Sequence, residues 1–320
     1  MQVFVAGATG VLGRRIVRRF LEAGYKVAGL SRSERNDAQL QTLGAEPKRA
    51  DLFDSDSLAR AAEGADIVTH AATAIPTQPK PRPADWELND RIRREGTRAL
   101  AEAAARIGAR LFLFQSITWV ARHNDGSPFD ESSPINPDPL TQSAADGEQI
   151  AREIGARRGL AVGILRCGLF CAPDAASTRM FGEALRRRRL PIVGRGDARW
   201  SLVHAADAAG AFLSAANAGR EGLWHVVDDE PVSVGELLGT LAAKLGAPPP
   251  RRVPRWLARL VGGEIVARFM TTPTATSNRR LREETGWAPR FPTYREGLKD
   301  VVAAWRAEGF LQEATTDQHR

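Results

Sequence analysis

The sequence predicts an α/β protein: a doubly wound parallel sheet with a smaller, mostly helical C-terminal lobe. Three observations predict it. Over the first 165 or so residues, short apolar runs alternate with segments of helical period. A glycine cluster, Gly7 to Gly13, falls between the first run and the first helix. Beyond residue 168 the alternation fades, Pro and Trp become frequent, and Pro248-Pro249-Pro250 interrupts the chain. The expected organisation is therefore a nucleotide-binding domain over 1–168, with 201–227 packing back on it. The lobe is built from 169–200 and 228–320.

The elements follow in order. Val3-Phe4-Val5-Ala6 reads as a buried strand. Gly13 to Ala23 has helical period and stops at Gly24, a C-cap residue. Lys26 to Leu30 is a second strand, and Asp37 to Leu43 a helix ending at Gly44. Ser55 to Ala62 is a helix capped by Asp54 or Ser55. Asp66 to His70 is a strand, Asp85 to Ile107 a helix, Leu111 to Phe114 a strand, Thr141 to Arg158 a long helix, and Ala161 to Leu165 a strand. In the lobe, Val232 to Leu245, Pro254 to Val261 and Tyr294 to Ala307 read as helices. Two proline-rich loops, one with Pro76, Pro79, Pro81 and Pro83 and one with Pro128, Pro134, Pro137 and Pro139, fall beyond strand ends. Open α/β sheets place their ligands there.

Composition bounds the function. The chain has 320 residues, 43% apolar and 26% charged, enough for a large core. Two cysteines, Cys167 and Cys171, are too few for a disulfide framework and suit a reducing cytoplasm. No apolar run approaches the ~18 residues of a membrane span, and Met1 to Gly10 read as strand and turn, not as a leader, so no membrane partner is expected. The net charge of +7 is spread along the chain, with one dense run at Arg186-Arg187-Arg188-Arg189. That run reads as the solvated C-terminal end of a helix begun near Met180, and no nucleic-acid partner is expected. No His/Cys cluster has metal-ligand spacing.

Gly7-Ala8-Thr9-Gly10-Val11-Leu12-Gly13 carries the clearest chemistry. Gly7 allows the tight turn, Gly10 lets backbone amides approach a pyrophosphate, and Gly13 lets helix and strand pack closely. The phosphates then meet the positive end of the helix. Where an NAD site usually has an acid after the second strand, this chain has Ser31 and Arg32, with Arg14, Arg15 and Arg35 nearby in sequence. Arginine suits a 2′-phosphate, so NADP is favoured over NAD. Asp51-Leu52, after the next strand, offers a carboxylate to the adenine amino group.

With these motifs the chain resembles an extended short-chain dehydrogenase/reductase of the NAD-dependent epimerase/dehydratase family, over nearly its whole length. The resemblance implies a Rossmann-type cofactor domain. His70-Ala71-Ala72 resembles the segment lying against the cofactor, and Gly96-Thr97 a recurrent pair on the next helix. Arg166 to Pro173 resembles the segment reaching the nicotinamide end, and Val203 to Asp207 a late motif in which His204 and Asp207 brace the two lobes. The resemblance also implies a two-fold homodimer through the helices Asp85–Ile107 and Thr141–Arg158.

The chemistry of that family needs a Tyr acid/base and a Lys four residues later on one helix face. This chain has only Tyr25 and Tyr294, neither followed by such a Lys. Leu140 stands where the Tyr is expected, Ala144 where the Lys is expected, and Arg93 where the family has Asn. Ser116, in Gln115-Ser116-Ile117-Thr118, best matches the family's catalytic Ser, with Thr118 beside it. His123, with Asp125 in the following loop, is the candidate substitute acid, and His70 reads as a buried histidine beside the cofactor. Trp86, Trp119, Phe129 and Phe170 fall near pocket segments and point to a small apolar or aromatic substrate, a carbonyl or alkene. The favoured reading is an NADP-dependent oxidoreductase with a non-standard proton donor. A redox-neutral cyclase, lyase or isomerase and a non-enzymatic cofactor-binding sensor are the alternatives.

Overall fold

A computed structural model describes residues 1–78 and 81–311. Its main sheet has seven parallel strands: β1 (Gln2–Ala6), β2 (Lys26–Ser31), β3 (Glu46–Arg49), β4 (Ile67–His70), β5 (Leu111–Ile117), β6 (Ala161–Cys167) and β7 (Gly222–Val226). Their order is β7-β6-β5-β4-β1-β2-β3. The order reverses between β1 and β4, whose C-terminal residues Ala6 and His70 are register partners. A crevice opens beyond such a switch point.

Alternation along the strands builds two cores. Val3, Val5, Leu111, Leu113, Leu165 and Trp224 face α1 (Gly13–Glu22) and α8 (Ala205–Ala218), where Ile16, Val17, Phe20 and Phe212 meet them. Phe4, Phe112, Phe114 and Ile164 face the other way, toward Leu58 of α3 (Ser55–Ala61), Leu100 of α5 (Thr97–Arg106) and Ile154 of α6 (Gln142–Arg158). Helix α2 (Glu34–Leu43) starts at Ser33, whose hydroxyl accepts the Asn36 amide.

The segment read as one helix from Asp85 to Ile107 is interrupted. A 3-10 turn at Pro83–Trp86 leads into α4 (Glu87–Arg91), then a π turn at Ile92–Gly96, then α5. The π turn buries the Arg93 side chain, and Gly96 lies where a Cβ would press on Leu52 at 3.1 Å. Pro79 lies outside the described residues. The outward stripes of α5 and α6 carry Arg98, Arg106, Gln149, Arg152 and Glu153, so any pairing of two copies across them is polar.

The lobe has its own core, in which Trp200, Leu238, Tyr294, Val301 and Trp305 are buried. It contains α7 (Ala176–Arg186), α9 (Val234–Lys244), α10 (Arg255–Gly262), α11 (Glu264–Thr271) and α13 (Tyr294–Ala307), whereas α12 (Arg279–Thr285) returns to the sheet and buries Leu281 in the core under α8. Only the first residue of the Arg186–Arg189 run is helical; Arg187 ends α7 and Arg188 turns left-handed at φ 55°. Helices α11 and α12 escape the sequence reading; each is eight residues or fewer, and α11 follows α10 directly across Gly263.

Several junctions hold the lobe to the sheet. Arg14 and Arg15 both pair with Asp174, the Arg15 contact at 2.7 Å. Asp207, in the first turn of α8, accepts the backbone amides of Arg290 and Phe291, each at 2.9 Å, while Trp287 donates its indole N–H to the Asp207 carbonyl at 3.1 Å. His204 caps α8 by accepting the Ala206 amide and reaches Asp300 on α13 at 3.3 Å. Removing the Asp207 carboxylate orphans two amides. Asp207→Ala is expected to cost roughly 2 kcal/mol or more of stability, read as a lowered urea midpoint at unchanged slope.

Candidate active site

The crevice is a cleft of about 890 Å³ at the C-terminal ends of β1, β2, β4 and β5. Its floor is the turn after β1, with Gly7, Thr9, Gly10, Val11 and Leu12 on the wall. The glycines there have separable reasons. Gly7 sits at φ +84°, and a Cβ on it would stand 2.5 Å from the Ala72 nitrogen. A Cβ on Gly13 would stand 2.0 Å from the Gly7 carbonyl oxygen, so Gly13 packs the turn and does not line the cleft. A Cβ on Gly10 would meet protein only at 3.3 Å, so the room it leaves is room for a ligand. With α1 starting at Gly13, this cradle fits the pyrophosphate of a dinucleotide.

The outer end of the cleft is formed by Leu30, Ser31, Arg32, Asn36, Arg49, Asp51, Leu52 and Phe53. Ser31 is buried and donates its hydroxyl to the Ser33 carbonyl at 3.1 Å. Arg32 is exposed at the rim. Arg49, which the sequence reading passed over, comes into the cleft from β3 and pairs with Asp37 at 2.6 Å. Asp51 accepts the Phe53 amide at 3.0 Å. Arg14 and Arg15 are committed to Asp174 and Arg35 does not line the cleft, so the cationic residues at this end are Arg32 and Arg49.

Ala71, Ala72, Thr73 and Gln115 form the inner wall; Ile75, Leu88, Phe170 and Met180 stand at the mouth. His70 lies behind the wall. It is buried, accepts the Ala72 amide at 3.3 Å and meets the Phe114 ring edge-on at 5.5 Å. Burial, with Arg93 nearby, pushes its pKa down to about 4, so it is neutral at physiological pH.

The residues expected to do chemistry lie elsewhere. Ser116 faces α6 and donates to Glu148 at 2.6 Å. Glu148 is held by Nε and Nη2 of Arg166, at 2.8 and 2.7 Å, so Arg166 is engaged in this buried pair, with Nη1 unpartnered among the described residues, and does not line the cleft. Thr118 is buried without a hydrogen-bond partner among the described residues. His123 contacts Ser127 at 2.9 Å, and Ser127 donates to Asp125 at 2.7 Å, in a loop that does not line the cleft. Leu140 is half-buried, and Ala144 is fully buried among Val120, Ala121 and Phe129. Tyr25 bonds Asn217 and Tyr294 bonds Glu236, both remote from the inner wall. Of the four aromatics expected near the pocket, Phe170 alone lines it; Phe129 packs on His225 and Trp119 on Phe269.

Strand parity explains the misplacement. Leu113 and Gln115 share one face of β5, Phe114 and Ser116 the other, so the cleft takes Gln115. Sequence reasoning also missed a junction beside the start of α6, where Asp138 pairs with Arg122 at 2.8 Å and Arg268 at 3.5 Å. Nothing in the spacing of these three residues signals it.

The fold and cleft define a nucleotide-binding α/β enzyme, and comparison with known proteins places it. The chain belongs to the NAD dependent epimerase/dehydratase family, whose model matches residues 3–227. It is 34% identical over 305 residues to the 3-diazoavenalumate denitrifying reductase of a Streptomyces species, covering 93% of this chain and 99% of that one. It is 27% identical to the ceramide reductase of Caulobacter vibrioides, covering 97% and 96%. A solved nucleoside-diphosphate-sugar epimerase from Pseudomonas aeruginosa shares the fold with a TM-score of 0.80 at 22% identity, covering 97% of this chain and 99% of that one. The chain is thus an NAD(P)-dependent enzyme.

The two glycine roles can be separated by experiment. Gly10→Ala is expected to leave the melting temperature within a degree or two yet weaken dinucleotide binding at least about tenfold, because the methyl enters ligand space. Gly13→Ala is expected to lower both, because its methyl meets backbone. Thermal denaturation and cofactor titration of the two variants read the difference.

Proposed function

We propose that this chain is an NADP(H)-dependent reductase whose acceptor has a small apolar or aromatic body and takes hydride without a proton from the protein. One observation carries the reading. The titratable side chains lining the cleft, among the described residues, are Arg32, Arg49 and Asp51, all at the outer end. The inner wall offers Ala72, Thr73 and Gln115, which can orient an acceptor by hydrogen bonds but cannot protonate it. Ser116, Thr118 and His123 take no part in this proposal.

The cofactor assignment rests on the cleft lining. Gly7, Thr9, Gly10, Val11 and Leu12 hold the pyrophosphate, and Gly13 shapes their turn. Ser31, Arg32 and Arg49 surround the 2′-phosphate, Asp51 and Leu52 border the adenine, and Ala71 and Ala72 back the nicotinamide half. A bound nicotinamide supplies the hydride. His70 supports the wall from behind as a neutral ring.

An acceptor that is already electron-poor and carries its own leaving group suits such a site. An aryl diazonium is the example that the 34%-identical relative's name suggests. Hydride forms a C–H bond at the ring carbon, the C–N bonding pair departs with dinitrogen, and no proton is consumed. The apolar mouth, Ile75, Leu88, Phe170 and Met180, suits an aromatic body. The two unpaired, buried thiols are in keeping with a reducing cytoplasm.

Arg32→Asp should weaken NADPH at least about tenfold while NADH binding holds or improves; equal loss of both would remove Arg32 from the 2′-phosphate site. The reaction itself is read with NADPH deuterated at C4, against diazo-phenolic acids, carbonyl compounds and activated alkenes. Deuterium on the product carbon that lost nitrogen supports the reading. Turnover of any substrate with NADPH unchanged would replace the reductase by a redox-neutral lyase or isomerase.

A further inference from the structure

Most of the large apolar side chains left exposed gather in two places. Ile75, Leu88 and Met180 belong to the cleft mouth. The other group is on α10, where Trp256, Leu260 and Val261 are 66%, 78% and 62% exposed. Trp256 and Leu260 stand at i and i+4, on one face opposite the buried Ala258, and Val261 follows them in the last turn, exposed at the helix end. They contribute nothing to the lobe core.

The surroundings of that face are cationic. Arg255 and Arg259 are exposed on α10 itself, and Arg251 and Arg252 directly precede it. Strand Arg252–Val253 pairs in parallel with Ile192–Val193, which brings the exposed loop Arg187-Arg188-Arg189 alongside. Arg188 holds that turn with its left-handed backbone, the only non-glycine residue at positive φ among the described ones. Of these seven arginines, Arg259 alone has an ion pair among the described residues, with Glu264.

We propose that α10, with the two arginine loops beside it, docks the protein on an anionic lipid surface. The occupant follows from the combination. An apolar wedge of Trp, Leu and Val in a surround where arginines outnumber the nearby carboxylate, Glu264, fits the boundary between acyl chains and anionic headgroups. A face covered by protein would put apolar side chains at the centre and keep dense like charge away from it. No helix among the described residues is long and apolar enough to cross a membrane, so the contact is peripheral. Helix α11 anchors the docking helix: Phe269 packs on Trp119 and Trp200, and Arg268 reaches Asp138 beside the start of α6.

The test is co-sedimentation of the full chain with vesicles of phosphatidylcholine alone and of phosphatidylcholine mixed with phosphatidylglycerol. Wild-type protein should partition at least about tenfold more onto the anionic vesicles, and added salt should remove that excess. Two variants divide the contributions: the triple Trp256→Ser, Leu260→Ser, Val261→Ser, and the triple Arg251→Gln, Arg252→Gln, Arg255→Gln. Each should lose anionic binding about tenfold with NADPH affinity unchanged, which also reports that the fold is intact. Equal wild-type binding to both vesicle types would overturn the proposal without recourse to any variant. So would wild-type binding by the serine triple. Light scattering showing a wild-type dimer that the serine triple abolishes, with no vesicle binding, would assign the face to a second copy instead.

Discussion

The buried pair of Glu148 and Arg166 is the constraint on which the site depends. Both side chains are withdrawn from water, which costs several kcal/mol per ion before any contact is made. A two-armed guanidinium–carboxylate geometry and the Ser116 hydroxyl offset that cost. With Ser116 the pair joins three elements. Ser116 is on β5, Arg166 on β6 and Glu148 on α6, and Ser116 and Arg166 are register partners. Helix α6 therefore cannot slide or rotate against the sheet without breaking a charge contact in a dry place. Its first turn, with Leu140 before it and Ala144 within it, is held beside the strand ends.

That arrangement retains a family framework while changing what the framework presents. The position expected to hold a lysine is filled by a methyl group packed against Val120, Ala121 and Phe129. The cleft is consequently polarised along its length, ionic where a nucleotide's outer half would lie and neutral where the reacting atoms would lie. Such an inner end gives little electrostatic help to an anionic transition state but excludes no electron-poor acceptor. On the proposed function, the chemistry depends on the reactivity of the bound partners more than on the protein's own acids.

Much of this was legible in the residues. Strand alternation and the glycine turn are local signals, and β1, β2, β4, β5, β6, α1, α6 and α13 lie close to where the periodicity placed them. Helix α8 was harder because its run of Ala, Phe and Leu is buried nearly all round and carries no clear stripe. The side chains lining the cleft near the glycine turn were readable because backbone geometry demands them. Ser116 was misplaced because motif matching ignored the parity of β5, and Arg166 because a charge near a ligand segment says nothing about the acid already paired with it. That Arg32 lines the cleft was legible and that Arg49 does was not, for a related reason. The first follows a strong strand directly, whereas the second lies on the four-residue edge strand β3, which has little apolar pattern.

The Arg14 and Arg15 contacts with Asp174 have a mechanical consequence. Those arginines immediately follow Gly13, so the helix whose first turn cradles the phosphates is also strapped to the segment leading into α7. That same segment contributes Ala175, Ala176 and Ser177 to the cleft wall. Floor and side wall are thus tied to one another by side chains as well as by the main chain. Whatever enters the cleft is bounded on two sides by elements that these ion pairs join.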